Sequence, residues 1–403
     1  MPRGRYPFEY FQSPTIAMSL PEIYELIDAY TGEFFEEDTA QHPHIDFIAV
    51  LPPLSYDGVF VKGLFISQAV DLVISRYPIL KELFVGAGYS MWSSHPWSSA
   101  ADAYLVCYDN PERSAWFREA NPDRAGIAHI PLQDADFTNE YIMAPRPAVQ
   151  RDIDLLCVSR LHSLKNLPSI AGALKIYRKK YGAIRMTLIA GRPGAYSREQ
   201  MSEIEREQYQ KMETRLGNLA DYIDLVEHAR HFQELPDYYC RAHAVILGSL
   251  LEGKNRALNE AQSCNTPVIC FEELNRYARG RAHSFPAGSG LTSAFDEETL
   301  ADTIHELLRN HGDFRPRAAY LSENGRRKFV STCVSTVSYF REAIPDLNGG
   351  DCWRSLWIDL AVQDNYGCSF HDFVYGRQVG ISHVKGLEGI ETAATYYAEK
   401  TGL

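Results

Sequence analysis

The sequence predicts an α/β protein of two domains, each built on a sheet of parallel strands covered by helices. Three observations carry that expectation. The chain has 403 residues, 45% of them hydrophobic, and a single core stops growing at roughly 250–300 residues. The second half alternates short apolar runs with helix-length amphipathic ones, the pattern of a parallel sheet with helices on both faces. Near the start of the first half, an apolar run, a turn and a helix-period stretch follow one another as a single β-loop-α unit.

The first forty or so residues are rich in Pro, Tyr and Glu, with one helix around PEIYELIDAY, and no role is assigned to them. IDFIAVL (45–51) reads as a buried strand. After the turn PPLSYDG, residues Phe65, Ile66, Ala69, Val70, Val73 and Ile74 fall on one side of a helix. DAYLVCY (102–108) and GIAHIPL (126–132) read as two more strands, and the two prolines of MAPRPAVQRD (143–152) suit a linker. Beyond it, strands are expected at IDLLCV (153–158), RMTLIA (185–190), YIDLVE (222–227), AVILG (244–248) and TPVICF (266–271). Helices are expected at about 167–181, 198–216 and 256–264, with a short one around ELPDYYCRA. A further helix, DEETLADTIHELLRN, opens with the acidic turn that a helix dipole favours. Past Ile344 nearly sixty residues show no legible pattern.

Composition narrows the function classes. A net charge of −12 and a pI near 5.6 argue against a nucleic-acid partner, because neutralising a phosphate backbone takes a dense basic face. No apolar run approaches the 18 residues of a membrane span, and the N-terminus lacks a signal-peptide h-region. The expected location is cytoplasmic. Eight cysteines without a C-x-x-C pair indicate neither a zinc site nor a disulfide framework.

In an open parallel sheet, ligands bind beyond the carboxyl ends of the strands, and two loops there carry suggestive residues. In CVSRLHSLKNLPSI, Arg160 and Lys165 follow a strand and precede a helix. A fork donor and a point cation at that spacing suit a diphosphate gripped from two sides, or an ordinary basic loop. In LLEGKNRALNEA (250–261), Glu252 closes the turn after AVILG, and the helix behind it offers free backbone amides to an anion. Gly253 permits close approach of the backbone. Glu252 could hold hydroxyl groups or cap the helix. Glu260, two turns in, could reach a diol or simply face solvent.

These residues match a known family. The segments LLCVSRLHSLKN, MTLIAG, EHARHFQELPDYYCRAHAVILGSLLEGKNRALNEAQSCNTPVI and GSGLTSAFDEETLADTIHELL, in that order, resemble the nucleotide-sugar domain of family 4 retaining glycosyltransferases. That resemblance implies the GT-B fold, two Rossmann-like domains whose sheets face each other across a cleft. The organisation expected is an acceptor-side domain over 1–147, a nucleotide-sugar domain over 148–325, and a helical extension over 326–403 that returns to the first domain.

By the same resemblance, Arg160 and Lys165 would hold the donor diphosphate and Glu252 the hydroxyls of the transferred sugar. The amides around Gly253, Lys254, Asn255 and Arg256 would cover the phosphates, and Glu260 would bind the ribose. Residues near Arg230 would line the base pocket. His95, in SMWSSHPWSS, is the candidate histidine beside the reacting carbon, with His44 its weaker rival. Asp57 and Gly58 are what remains of the family's Gly-Gly turn. Lys254 and Asn255 stand where the family usually has an aromatic-glycine pair, and Asn and Gly of its Ile-Pro-Asn-Gly-Val-Asp segment are replaced in HIPLQDADF.

Other motifs compete weakly. DID (152–154) and DAD (134–136) imitate a metal-binding D-x-D, but one opens a strand and the other lies in a turn. GAG (86–88) lacks the third glycine of a dinucleotide fingerprint. The basic run YRKKYGAIR (177–185) suits a solvated helix end or a transient contact with an acidic membrane surface. The expected activity is metal-independent, cofactor-free transfer of a sugar from a nucleotide diphosphate, UDP favoured and GDP second, to a hydroxyl of a saccharide or saccharide-lipid in polysaccharide or glycolipid biosynthesis. A nucleotide-sugar 2-epimerase and a non-catalytic nucleotide-sugar or glycan binder are the alternatives.

Overall fold

A computed structural model describes residues 46–56, 59–67, 69–90, 100–106, 127–131, 138, 140–231, 233–249, 255–272, 285–325, 328, 332–333, 335–343 and 383–403. Contacts between Cα atoms divide these into two units, one within Phe35–Asn139 and Asn324–Leu403, the other within Glu140–Glu323.

In the first unit the run DFIAVL forms β1 (Asp46–Leu51). Residues 47–51 are all buried, as an unbroken apolar run requires. A small hairpin of β2 (Leu54–Tyr56) and β3 (Val59–Val61) follows, and β4 (Gly63–Ser67) returns antiparallel to β1 with Ile48 opposite Ile66. Phe65 and Ile66 therefore lie in a strand and not in the expected helix. The helix α1 starts only at Val70 and ends at Arg76. The reason is that a five-residue segment buried on every side chain carries no period of its own, so strand and helix templates fit it equally well. After α2 (Ile79–Leu83), strands β5 (Phe84–Ser90), β6 (Ala103–Val106) and β7 (Ala128–Pro131) add in parallel. The GAG tripeptide lies inside β5.

The second unit is a six-stranded sheet in the order β10-β9-β8-β11-β12-β13, every pair parallel. Its strands are β8 (Ile153–Val158), β9 (Met186–Ile189), β10 (Ile223–Val226), β11 (Ala242–Ile246), β12 (Val268–Phe271) and β13 (Gly290–Ser293). The order of the first four follows from right-handed crossovers that build outward from β8, return beside it, and continue the other way. Helices α3 (Leu167–Tyr181), α4 (Glu203–Leu216) and α7 (Glu297–Asn310) share one core with Leu155, Cys157, Ala244 and Ile246. Helices α5 (Leu235–Arg241) and α6 (Arg256–Ser263) share the core of the opposite face with Leu156, Val245 and Leu247.

Local chemistry fixes the helix ends. Residues 198–202 are not helical as expected, because Ser202 starts α4 with a capping box: its hydroxyl accepts from Glu205 N, and the Glu205 carboxylate accepts from Ser202 N at 2.8 Å. Asp296 caps α7 through Thr299 N at 2.8 Å. A short helix α8 (Pro316–Glu323) ends the unit.

The segment read as a linker lies on the second unit. Ser263 Oγ donates to Met143 O, Arg146 pairs with Asp237, and Arg151 donates to Asn265 O at 2.9 Å. The chain then completes the first unit from its far end. Strand β14 (His383–Lys385) pairs antiparallel with β1, so that this sheet runs β14-β1-β4-β5-β6-β7 and is parallel only from β4 to β7. Helix α9 (Gly386–Thr401) inserts Tyr397 edge-on against Phe84 at 5.0 Å, beside the Phe47–Phe65 stack at 5.0 Å. Among the described residues no helix is long and apolar enough to cross a membrane.

Candidate functional site

In the second sheet the strand order reverses between β8 and β11. At such a switch point neighbouring strands send their chains to opposite faces, and the loops part to leave a crevice beyond the carboxyl ends. Arg160 and Lys165 occupy the loop after β8. Ser159 N continues the ladder to Ile189 O at 2.9 Å, and Leu161 is a buried anchor. Between these fixed points the Arg160 side chain is exposed and pairs with no carboxylate among the described residues. Lys165 closes a 3-10 turn (Ser163–Lys165) and is half-buried.

The next residue, Asn166, takes the left-handed conformation (φ 48°), which Asn tolerates better than most residues. Its side chain accepts from Ser169 Oγ at 2.8 Å and donates to Gly248 O at 3.2 Å. Gly248, just past β11, must lack a side chain: a Cβ there would lie 2.8 Å from Lys165 O and 3.0 Å from Asn166 O. The loops leaving β8 and β11 are thus laced together, although 82 residues separate the bonded pair. Ser249 follows, fully buried, its hydroxyl without a hydrogen-bond partner among the described residues.

Helix α6 begins at this crevice. Asn255 is buried and caps it, its Oδ1 accepting from Leu258 N at 3.0 Å. The N-cap is thus Asn255; Glu252, for which the sequence left capping open, lies outside the described residues. Arg256 opens the helix and is half-buried. Glu260 does not face solvent. It is 5% exposed, its Oε2 accepts from the Tyr239 hydroxyl at 2.7 Å, and its Oε1 lies 2.7 Å from His231 Nε2. Burial, with the Glu260 carboxylate next in effect, pushes the Tyr239 phenol well above its ordinary range. Burial likewise pushes the Cys157 thiol up to about 12, against the pull of nearby Lys165, so this cysteine stays protonated and inert. Arg230, exposed after β10, is held by Glu234, which accepts from its backbone N at 2.9 Å and from Nε at 2.8 Å.

The structure therefore brings Arg160, Lys165, Asn255 and Arg256 to the loops and helix start at one end of one sheet. Glu260 is the fifth residue of α6, just past its first turn, and is tied to the loop after β10 that carries Arg230. Glu252, Gly253, Lys254, His95, His44, Asp57 and Gly58 lie outside the described residues. Sequence reasoning missed His231, Tyr239, Asn166 and Gly248. His231 and Tyr239 stand 29 and 21 positions from the carboxylate they meet, and nothing local announces either. The Gly248 signal was available, since a glycine directly after a buried strand often marks close backbone approach.

The competing motifs are otherwise engaged. Asp152 and Asp154 sit at the amino end of β8, away from Arg160. The former accepts two hydrogen bonds from Arg241, at 2.7 and 2.8 Å, and the latter one from Arg185 N at 3.0 Å. Residues 134–136 are not described. In the basic run, Lys180 bridges Glu298 (2.8 Å) and Asp302 (3.0 Å), while Arg178 lies over the Tyr222 ring and donates to Asp221 O.

Residues 152–310, somewhat under half of the chain, match the family model described as "Glycosyl transferases group 1", and the second unit carries a domain of that kind. No curated protein matches the chain. Among solved structures, the sucrose-phosphate synthase (tll1590) of Thermosynechococcus elongatus is similar at 14% identity over 86% of this chain and 82% of that one, with a TM-score of 0.42. TarM is similar at 10% identity, over 71% of this chain and 62% of that one, at 0.45. The pneumococcal O-GlcNAc transferase GtfA, solved with UDP and GlcNAc, is similar at 15% identity over 74% and 65%, at 0.44. At scores below 0.5 these are likenesses only, and the architecture of the second unit stands on its own strand order.

Proposed function

We propose that this chain, with its glycosyltransferase group 1 domain, is a retaining glycosyltransferase that moves a sugar from a nucleotide diphosphate donor to a saccharide or saccharide-lipid hydroxyl. The observation that carries the reading is the lacing of the β8 and β11 loops at the switch point, with Arg160 and Lys165 on one and the start of α6 at the other. A diphosphate there would meet a fork donor, a point cation and the positive end of the α6 dipole, three partners whose common preference is an anion.

The chemistry follows from where charge develops. As the anomeric bond breaks, negative charge accumulates on the leaving diphosphate and positive charge on the sugar ring. Arg160 and Lys165, carried on the loop that is laced to β11, would stabilise the former, the electrostatic contribution that usually dominates such sites. With no carboxylate nucleophile assigned, the acceptor hydroxyl attacks the face that the diphosphate leaves, its proton passing to the departing phosphate, and the anomeric configuration is kept. Glu252 would orient the sugar through its hydroxyls, Glu260 the ribose, and His95 a sugar hydroxyl near the reacting carbon. Two cations and the α6 amides supply the positive charge that a metal supplies in other transferases, so the reaction needs none. UDP-sugars are the first choice of donor and GDP-sugars the second. The setting is polysaccharide or glycolipid assembly in the cytoplasm, at or near the inner face of the membrane.

The test is a panel of UDP-, GDP- and ADP-sugars incubated with saccharide and saccharide-lipid acceptors, following nucleotide release and the anomeric configuration of the product. Acceptor-dependent release with a retained linkage is expected. Conversion of donor to its 2-epimer without acceptor would identify the epimerase instead, and binding without turnover a non-catalytic binder.

A further inference from the structure

Two of the cysteines meet inside the second unit. Cys240 lies in the last turn of α5 and Cys264 is the C-cap of α6; they are 5% and 1% exposed, share one core, and are both free thiols. Two hydrogen bonds hold α5 and α6 in register beside the pair. The Tyr239 hydroxyl donates to Glu260 Oε2 at 2.7 Å, and the Tyr239 carbonyl accepts from Thr266 Oγ1 at 2.7 Å. One position after Tyr239 and two before Thr266, the thiols come within hydrogen-bond reach of each other.

Their surroundings make the two sulfurs unequal. Arg151 donates to Thr266 Oγ1 at 3.1 Å and to Asn265 O at 2.9 Å, and Arg146, paired with Asp237, is also close. A hydrogen bond from Cys264 above all, then one from the Arg146 backbone and the two guanidinium charges, bring the Cys240 thiol down to about 7 against the effect of its burial. Burial pushes the Cys264 thiol well above its ordinary range, with the Cys240 contact next in effect. Near neutral pH Cys240 is thus partly thiolate, the nucleophilic form, while Cys264 stays a thiol that donates to it. As a neutral thiol Cys240 donates to Ala144 O at 3.5 Å. Cysteines that serve packing alone behave differently, as Cys157 and Cys333 do, both pushed up to about 12 by burial.

We propose that Cys240 and Cys264 form a reversible disulfide, and that this bond is a redox lock on the segment 240–264, which carries β11, Gly248, Asn255 and the whole of α6. With hydrogen peroxide as oxidant, the Cys240 thiolate attacks one peroxide oxygen, the O–O bond breaks, hydroxide leaves, and Cys240 becomes a sulfenic acid. The Cys264 sulfur then attacks the Cys240 sulfur, its proton goes to the departing hydroxyl, and water leaves as the S–S bond forms. Two thiols lose two electrons between them and one peroxide is reduced to two waters. Closing the bond to about 2.05 Å takes a movement of roughly 1–2 Å from hydrogen-bond reach. A dithiol reverses it, as suits a compartment where protein disulfides are transient. The segment so closed forms one side of the switch-point crevice, and the lock does not depend on what the crevice binds.

The experiment treats the reduced full chain with a small excess of hydrogen peroxide without denaturant, blocks the remaining thiols with iodoacetamide, maps the peptides by mass spectrometry, and records a thermal melt before and after. The peptides of Cys240 and Cys264 should be recovered as one disulfide-linked species that dithiothreitol separates. The oxidised chain should melt about 5 °C or more higher, because the cross-link restricts the unfolded chain. Cys264→Ala, treated in the same way, should give no such species and no rise. Recovery of both cysteines in separate alkylated peptides, linkage only once urea is added, or Cys240 as a sulfinic acid beside a free Cys264 would overturn the proposal. So would a linked pair with an unchanged melt. Should Cys264→Ala not fold, Cys240→Ala is the control, and the peptide map of the wild type decides by itself whether the bond forms.

Discussion

At the residue scale, what distinguishes the candidate site is how its polar side chains are employed. Asn255 spends its side chain on capping α6, where it accepts from Leu258 N. Asn255→Ala removes that bond and should destabilise the second unit by about 1 kcal/mol, a typical value for losing an N-cap. The check is a lower urea midpoint with an unchanged slope, since the surface exposed on unfolding stays the same. Much at this scale was legible in the sequence. Arg160, Lys165, Asn255 and Arg256 could be placed because short loops between apolar strands and amphipathic helices must emerge at the carboxyl edge of a parallel sheet. The surroundings of Glu260 could not, because a helix-face carboxylate looks solvent-bound until the fold delivers Tyr239 and His231 to it from elsewhere.

At the scale of elements, five of the six strands of the second sheet were read, since they are short apolar runs between turn-forming residues and amphipathic helices; β13 (GLTS), a short edge strand with one buried residue, was not expected. β4 and β14 were missed for different reasons. The former is too short and too uniformly buried to show a period. The latter is three residues whose partner in β1 lies more than three hundred positions away. The element-scale claim about the site is that the β8 and β11 loops are held in register by close backbone approach at Gly248. Gly248→Ala puts a Cβ against Lys165 O and Asn166 O at 2.8 and 3.0 Å, so the two loops must separate or the new methyl group must strain. A loss of about 1–3 kcal/mol is expected, the usual range for overpacking. Donor affinity should fall as well, because Lys165 lies on the displaced backbone. Chemical denaturation and calorimetry on the same variant check the two halves of this prediction, and a variant with native donor affinity would separate the lacing from the site.

At the scale of the whole molecule, the described residues of one unit form a single stretch of sequence and those of the other come from two segments far apart. Tyr397, from the second of those segments, is fully buried among Phe47, Phe65 and Phe84, so the core of the first unit is complete only when both segments are in place. Tyr397→Ala opens a large cavity in that aromatic cluster and should cost about 3–5 kcal/mol. The core of the second unit shares no residue with it, so the loss should fall on one unfolding transition and spare the other. Calorimetric scans of wild type and variant, deconvoluted into two transitions, check this.

The central claim is that the switch point of the second sheet binds a nucleotide diphosphate through Arg160 and Lys165. Its most direct test is the dissociation constant of UDP, with GDP and ADP as comparisons, for wild type, Arg160→Ala and Lys165→Ala under one salt condition. Each substitution should weaken binding of the preferred diphosphate by about tenfold or more, as removal of a charge-assisted hydrogen bond of about 1.5–3 kcal/mol requires. Diphosphate binding equally tight in both variants and in the wild type would contradict the account.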